Sequence, residues 1–477
     1  MRKIWQKLKI LIYLREDIFM QKNPTIGYLP DERPPFWKLI FYAIQQVIVM
    51  FPATVTVALI TGFHISTTIF ASGLATLCFL LITKGQIPLY YGSSFSYIAA
   101  IGGLMASDAL ASHTLNEKIA IAQFGIIMSG FISIAAGLVV NRFGRDSIEK
   151  ILPASITGSI AMVIGLTLAG NALGDATSIV VDGTGAISVA EADIALATNM
   201  AWIISLVTLL TTVIFSVYLK GFLGQLPLLL GPLLGCIVAY IIKLATGIDL
   251  FRVLPEAIGR GIVALPEFTL PKPTWMAVAA IMPIALATIP ESTAHVYQLD
   301  IYVNDLAKKK GVKKNYNIAD KLGLNLIGDG IGDMVSGFIG GPAGTNYGEN
   351  ISAMAITKVF SVPVLILASI VAMIISCFTP LINIIYSIPT AVIGGLEIYL
   401  FGAIAAQGIA IMIEKKVDLF SSKNIAVIAT IMIIGLGGQY AFGGNIPFFG
   451  IDVPCVAGAA IFGIILNLIL SIGEKKH

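Results

Sequence analysis

The chain has 477 residues, 57% of them hydrophobic and only 12% charged, with a mean hydropathy of +0.89 and a formal net charge of +3. Soluble domains carry about 25% charged residues, so this composition excludes an ordinary soluble enzyme or binding module and describes a polytopic membrane protein. The small net charge says little about partners and gives no reason to expect nucleic acid, and neither the four scattered cysteines (Cys78, Cys236, Cys377, Cys455) nor the four histidines have metal-ligand spacing.

The first 34 residues are basic and weakly amphipathic ("IWQKLKILIYLREDIFM"). Their apolar run is short and interrupted by charge, and no small-residue cleavage site follows, so a cytosolic or membrane-surface helix is expected rather than a signal peptide. A helix needs about 20 apolar residues to cross a bilayer. In chain order, candidate spans lie near 36–60, 65–83, 87–107, 119–141, 153–173, 196–219 and 224–246, and then near 274–299, 322–340, 346–357, 360–379, 388–413, 424–437 and 453–472. Lys and Arg gather at the termini and in the loops after even-numbered spans, most densely in "AKKKGVKK" at 307–314. This bias predicts an even number of spans with both termini in the cytosol.

The chain also reads as doubled. Pro35 and Pro273, Trp37 and Trp275, and Pro52 and Pro290 are each 238 residues apart, and Pro153 with Pro389 and Gly158 with Gly394 repeat at 236. Residues 35–246 and 274–472 then form two seven-span halves joined by an external connection at 247–273. An odd number of spans per half makes the repeats inverted, the architecture of secondary transporters.

Each half has one segment near its third span that breaks the apolar pattern, "YYGSSFSYIAA" at 90–100 and "GPAGTNYGENISA" at 341–353. Unpaired backbone groups in lipid cost several kcal/mol each, so such segments persist only where they are buried in protein or line a cavity. Their amides and helix starts can serve a polar solute. Glu349 lies in the second of them, and a carboxylate at mid-membrane costs at least about 2.5–3.5 kcal/mol. Glu291 and His295, in "ALATIPESTAHVYQLD", are four apart and share a helical face. Pro290 beside them is expected to kink that helix. Two carboxylates and a histidine suit a solute with N–H donors, or a proton relay. Asp329 and Asp333, in "IGDGIGDMVSG", are expected to be hydrated from the cytoplasmic side. Glu397 is a mid-span carboxylate facing either the site or another span. Asp175 and Asp182 read as solvated in an external loop.

"YGENISAMAITK" resembles the signature of the nucleobase–ascorbate transporters, also called nucleobase:cation symporter family 2, [Q/E/P]-N-x-G-x-x-x-x-T-[R/K/G]. Here it reads Glu349-Asn350-Ile351-Ser352 and then Thr357-Lys358. "GSSFSYI" (92–98), "MFPATV" (50–55) and "ERPP" (32–35) are similar to other parts of the family, and the bacterial uracil permeases resemble the chain most. The resemblance implies an all-α fold of 14 segments in two inverted repeats, with spans 3 and 10 broken by short strands. It implies a core domain (spans 1–4 and 8–11) that moves against a gate domain (spans 5–7 and 12–14). It implies that Glu291 and Glu349 hold the base, helped by the backbone around Phe95 and Gly348, with Ala53, Ser94 and Tyr347 close by. His295 would couple protons, with Glu291 beside it. No cofactor or metal is implied; the partners are a nucleobase, a proton and the bilayer of the cell membrane, with a homodimer as the assembly. Glu349 in place of Gln, and His295 where purine carriers often have an acid, favour a pyrimidine; a purine or, on the same fold, an anion is the alternative. The chain departs from the pattern at Ser352 (usually Gly), at Ser292 (often His after the span-eight Glu) and at Gln46 (often His). Ser352 adds a hydroxyl and a Cβ near the site.

Overall fold

The computed structural model describes residues 27–144, 152–181, 187, 189–253, 261–448 and 451–472. The expected N-terminal surface helix and Asp182 lie outside them. Helix α1 (Phe36–Thr61) begins after Pro35, whose fixed φ holds the backbone extended, and stops at Gly62, which turns left-handed (φ 76°) and donates its N–H to the Ala58 carbonyl. It is followed by α2 (Ile65–Ile82), strand β1 (Tyr91–Ser93), a short 3₁₀ turn (Phe95–Tyr97), α3 (Ile98–Met105) and α4 (Leu115–Phe143). Next come α5 (Ala154–Thr167), α6 (Ala169–Ala176), α7 (Ile194–Tyr218) and α8 (Pro227–Thr246).

After the connection come α9 (Trp275–Ile281), a 3₁₀ turn (Met282–Ile284), α10 (Ala285–Lys309), α11 (Leu322–Ile339), β2 (Gly344–Asn346) and α12 (Gly348–Thr357). The order closes with α13 (Val362–Ile375), α14 (Thr379–Tyr386), α15 (Thr390–Glu414), α16 (Ser422–Phe442), the hairpin β3 (Asn445–Phe448) and β4 (Ile451–Pro454), and α17 (Cys455–Ile472). Ten helical stretches of the described residues are long and apolar enough to cross a membrane, with shorter apolar helices at Phe95–Met105 and Val362–Ile375. The expected break in the span carrying Glu291 falls earlier than Pro290: the 3₁₀ turn surrounds Pro283, and Pro290 sits within α10.

Lipid supplies no hydrophobic drive between helices, so close packing has to hold them together. α4 and α11 meet through Gly130 and Gly330: a Cβ on either would fall 2.4 or 2.3 Å from the other's carbonyl oxygen. Gly158 of α5 and Gly408 of α15 repeat this contact at 2.6 and 2.4 Å. Small residues here let backbones touch, while Leu210, Leu244 and Ile433 on α7, α8 and α16 stay exposed, as lipid-facing residues do.

Residues 27–32, running into "ERPP", form a strap along one end of the helices. Tyr28 exchanges backbone bonds with Lys358 and Phe360, just beyond α12 (both 2.8 Å). Lys310 binds the Glu32 carboxylate and the Gly27 carbonyl (2.9 Å), and Tyr316 donates to Asp31 (2.6 Å).

Candidate functional site

The two broken segments meet. β1 and β2 pair antiparallel with Tyr91 opposite Asn346, Gly92 opposite Thr345 and Ser93 opposite Gly344. Two further backbone bonds extend the pair, Ser94 N–H to Ala343 O (3.0 Å) and Tyr347 N–H to Tyr90 O (2.9 Å). Each strand thereby satisfies the other's backbone inside the protein, which is what the membrane demands of irregular chain. Gly344 permits the approach, since a Cβ there would lie 2.3 Å from the Gly92 carbonyl. β1 leads through the 3₁₀ turn Phe95–Tyr97 into α3, and β2 leads through Tyr347 into α12, so both short helices begin close to the strand pair. The first amides of a helix lack intrahelical partners and carry the positive end of its dipole.

Two aspartates of α11 brace the pair. Asp333 accepts from the Tyr91 hydroxyl (2.5 Å) and the Gly344 amide (2.8 Å). Asp329 accepts from the Ser292 hydroxyl and from the side-chain amides of Asn325 and Asn346 (both 3.2 Å). Both are buried, which corrects the expectation that water hydrates them from the cytoplasmic side: the donors come from protein. Ser292, where a histidine is frequent, belongs to this brace and also meets Thr345 Oγ1 (3.2 Å).

The signature residues divide by task. Asn350 donates to the Gln46 side chain (2.8 Å) and backbone (3.0 Å), so this departure at Gln46 anchors α12 to α1. Tyr347 donates to the Ser93 carbonyl (3.0 Å) and meets Thr54 Oγ1 (2.9 Å). Ser94 accepts from the Ser96 amide (3.2 Å). Tyr347 and Ser94 are buried with their side chains engaged in this framework, and Ala53 is buried in α1. Phe95, Gly348, Glu349, Glu291 and His295 are only partly buried.

Glu291 on α10 faces Glu349 in the first turn of α12, and the Ser96 hydroxyl beside α3 reaches Glu291. Sequence reasoning missed Ser96, although "GSSFSYI" contains it. One turn along α10, His295 packs on the start of α12: a Cβ on Gly348 would lie 2.8 Å from its Nε2. The ring also reaches the Asn346 backbone, and its Nδ1 has no partner among the described residues. A cavity of about 790 Å³ runs along α10, past Pro290, Thr293, His295 and Gln298, and is also lined by Glu414 and Asp418. Ser352 is partly buried one turn beyond Glu349. Glu397 is elsewhere. It lies against Asp175, which is partly buried at the end of α6 and not solvated in a loop.

A multi-pass helical membrane protein built around a polar strand pair is the class these features define. The sequence profile described as the permease family matches residues 37–444, and the chain belongs to that family, the nucleobase:cation symporter family 2. The uracil permease of Bacillus caldolyticus is 34% identical over 448 residues, covering 92% of this chain and 94% of that protein. The uracil permease of Bacillus subtilis (strain 168) is 32% identical over 470 residues (96% and 98%), and that of Escherichia coli (strain K12) 33% over 444 (93% of each). In fold the chain is similar to SLC26A9 (TM-score 0.60, 14% identity, 91% of this chain and 65% of that one). It is also similar to the transmembrane domain of the cyanobacterial bicarbonate transporter BicA (0.57, 16%, 91% and 99%).

Proposed function

We propose that the chain imports uracil across the cell membrane by proton symport, with both termini in the cytosol. The observation that carries this reading is the pair Glu291 and Glu349 facing each other where α3 and α12 begin. Uracil presents N–H donors flanked by carbonyl acceptors. An ionised carboxylate accepts from an N–H group, and backbone amides around Phe95 and Gly348 would donate to the carbonyls. Two carboxylates repel an anion, which disfavours the cargo of the anion carriers that share the fold.

The inverted repeat is part of the proposal, and the helix pairs support it. α4 packs on α11 as α13 packs on α2, and α7 on α8 as α16 on α17, while α5 with α15 and β1 with β2 pair across the halves. An axis exchanging the halves reproduces this pattern. A core of α1–α4 and α9–α14 would move against a gate of α5–α8 and α15–α17, carrying the base past it; a homodimer is the expected assembly. The cavity beside His295 is also lined by Lys415 and Lys416, which the charge bias assigns to the cytosol, and this supports an inward-open arrangement.

Thermal stabilisation of the purified protein by uracil, thymine, cytosine, xanthine, hypoxanthine and adenine tests the cargo, because a ligand that binds the folded state raises its stability by mass action. Uracil is expected to give the largest shift; a larger shift with xanthine or hypoxanthine would replace the pyrimidine reading with a purine one. His295→Ala is expected to change the pH profile of uracil uptake while uracil binding persists. An unaltered profile would remove His295 from the proton path.

A further inference from the structure

We infer that Asp175 and Glu397 hold one proton between them, forming a buried protonation site between α6 and α15, separate from the site at Glu291 and Glu349. Glu397 is fully buried, and neither of its oxygens has an N–H or O–H donor among the described residues. The helices around it are in backbone contact. One turn earlier, a Cβ on Gly394 would lie 2.1 Å from Ala176 N and 2.4 Å from the Asp175 carbonyl carbon, and one on Gly395 would lie 2.3 Å from the Ser205 carbonyl of α7. The group that does reach Glu397 is the Asp175 side chain.

Two carboxylates in contact at low dielectric cannot both be ionised. A single proton resolves the arrangement: one carboxyl becomes a donor, the other accepts, and the buried oxygens gain the partner they otherwise lack. The remaining negative charge also has a counterpart. Arg252 faces Asp175 from the connection after α8, with Tyr386 beside it, and is anchored by its own amide to the Ser387 carbonyl (3.1 Å). α7, packed on the same side, brings Ser205 and Thr208, which are not titratable. A metal ion fits poorly: no group of three or more His, Cys, Asp or Glu side chains suited to one occurs among the described residues, and Arg252 already supplies a positive charge. Loss of the proton sets two like charges against each other across the α6–α15 contact, so the contact loosens as pH rises. None of this depends on the identity of the cargo.

Glu397→Gln tests it, because the amide donates permanently to Asp175 without a proton. The full chain in lipid nanodiscs is expected to lose thermal stability as pH rises toward about 9, where buried carboxyls ionise. E397Q should lose much less over the same range while keeping its uracil-induced shift. Its infrared spectrum at neutral pH should lack one protonated-carboxyl band that the unaltered protein shows. D175N, which offers its amide to Glu397, should lose the same band and serves if E397Q does not fold. A pH dependence and carboxyl band unchanged in both variants would overturn the proposal. Stabilisation of the unaltered protein, but not E397Q, when sodium replaces potassium at high pH would overturn it in favour of a metal cation.

Discussion

Replacing Glu349 with alanine is expected to abolish the thermal shift given by uracil and to cut uracil uptake by one to two orders of magnitude. A hydrogen bond to a charged group contributes about 1.5–3 kcal/mol, which is about 10- to 150-fold in affinity. The upper end applies here, because the base would leave water and find no acceptor in place of the carboxylate. Glu349→Gln makes the sharper comparison. It keeps one carbonyl oxygen and adds an N–H donor, so uracil should bind more weakly and xanthine gain relative to it. Folding should survive both changes, since Glu349 is absent from the bonds that anchor α12; Asn350 and Tyr347 make those. Unchanged uracil affinity in Glu349→Ala would move the binding site away from the start of α12.

Asp333→Ala is expected to be the most damaging change away from the binding groups. It strands the Tyr91 hydroxyl and the Gly344 amide, both in the strand pair. An orphaned buried donor costs about 1–3 kcal/mol, so the two together cost roughly 2–6 kcal/mol, enough to lower the melting temperature sharply and stop transport. The cost should be shared rather than additive with Tyr91→Phe, which removes one of the two donors. A double-mutant cycle in detergent measures that coupling. Asp333→Asn, retaining an acceptor oxygen, should recover part of the stability. If Asp333→Ala instead kept full stability and changed only the pH profile of uptake, Asp333 would be a proton carrier and not a brace.

The helices were largely legible because lipid imposes a simple rule on sequence: long apolar runs become helices. The two broken segments were legible for the complementary reason, since Gly, Pro and a carboxylate within apolar chain need a protein-lined setting. Asp329 and Asp333 were misread because their partners are remote. Tyr91 lies in the other half of the chain, and nothing near "IGDGIGDMVSG" announces that a strand will run beside it. Asp175 and Glu397 failed the same way: each looks solvated or ambiguous alone, and only the contact of α6 with α15 makes them a pair. The position of the break before α10 was undecidable from composition, since Pro283 and Pro290 both qualify and packing chooses between them.

The strand pair also sets a schedule for biogenesis. β1 is complete at residue 93, yet its partner begins at residue 344. At synthesis rates of about 5–20 residues per second, the ribosome needs on the order of 10–50 s to deliver β2. Through that interval the β1 backbone is without its mate, so the segment around it has to wait at the translocon, at the bilayer surface or under a chaperone's cover. A nascent chain arrested before residue 344 should therefore leave 87–105 open to labelling from water. Release past residue 357 should close it, making this internal join a late, committing step in assembly.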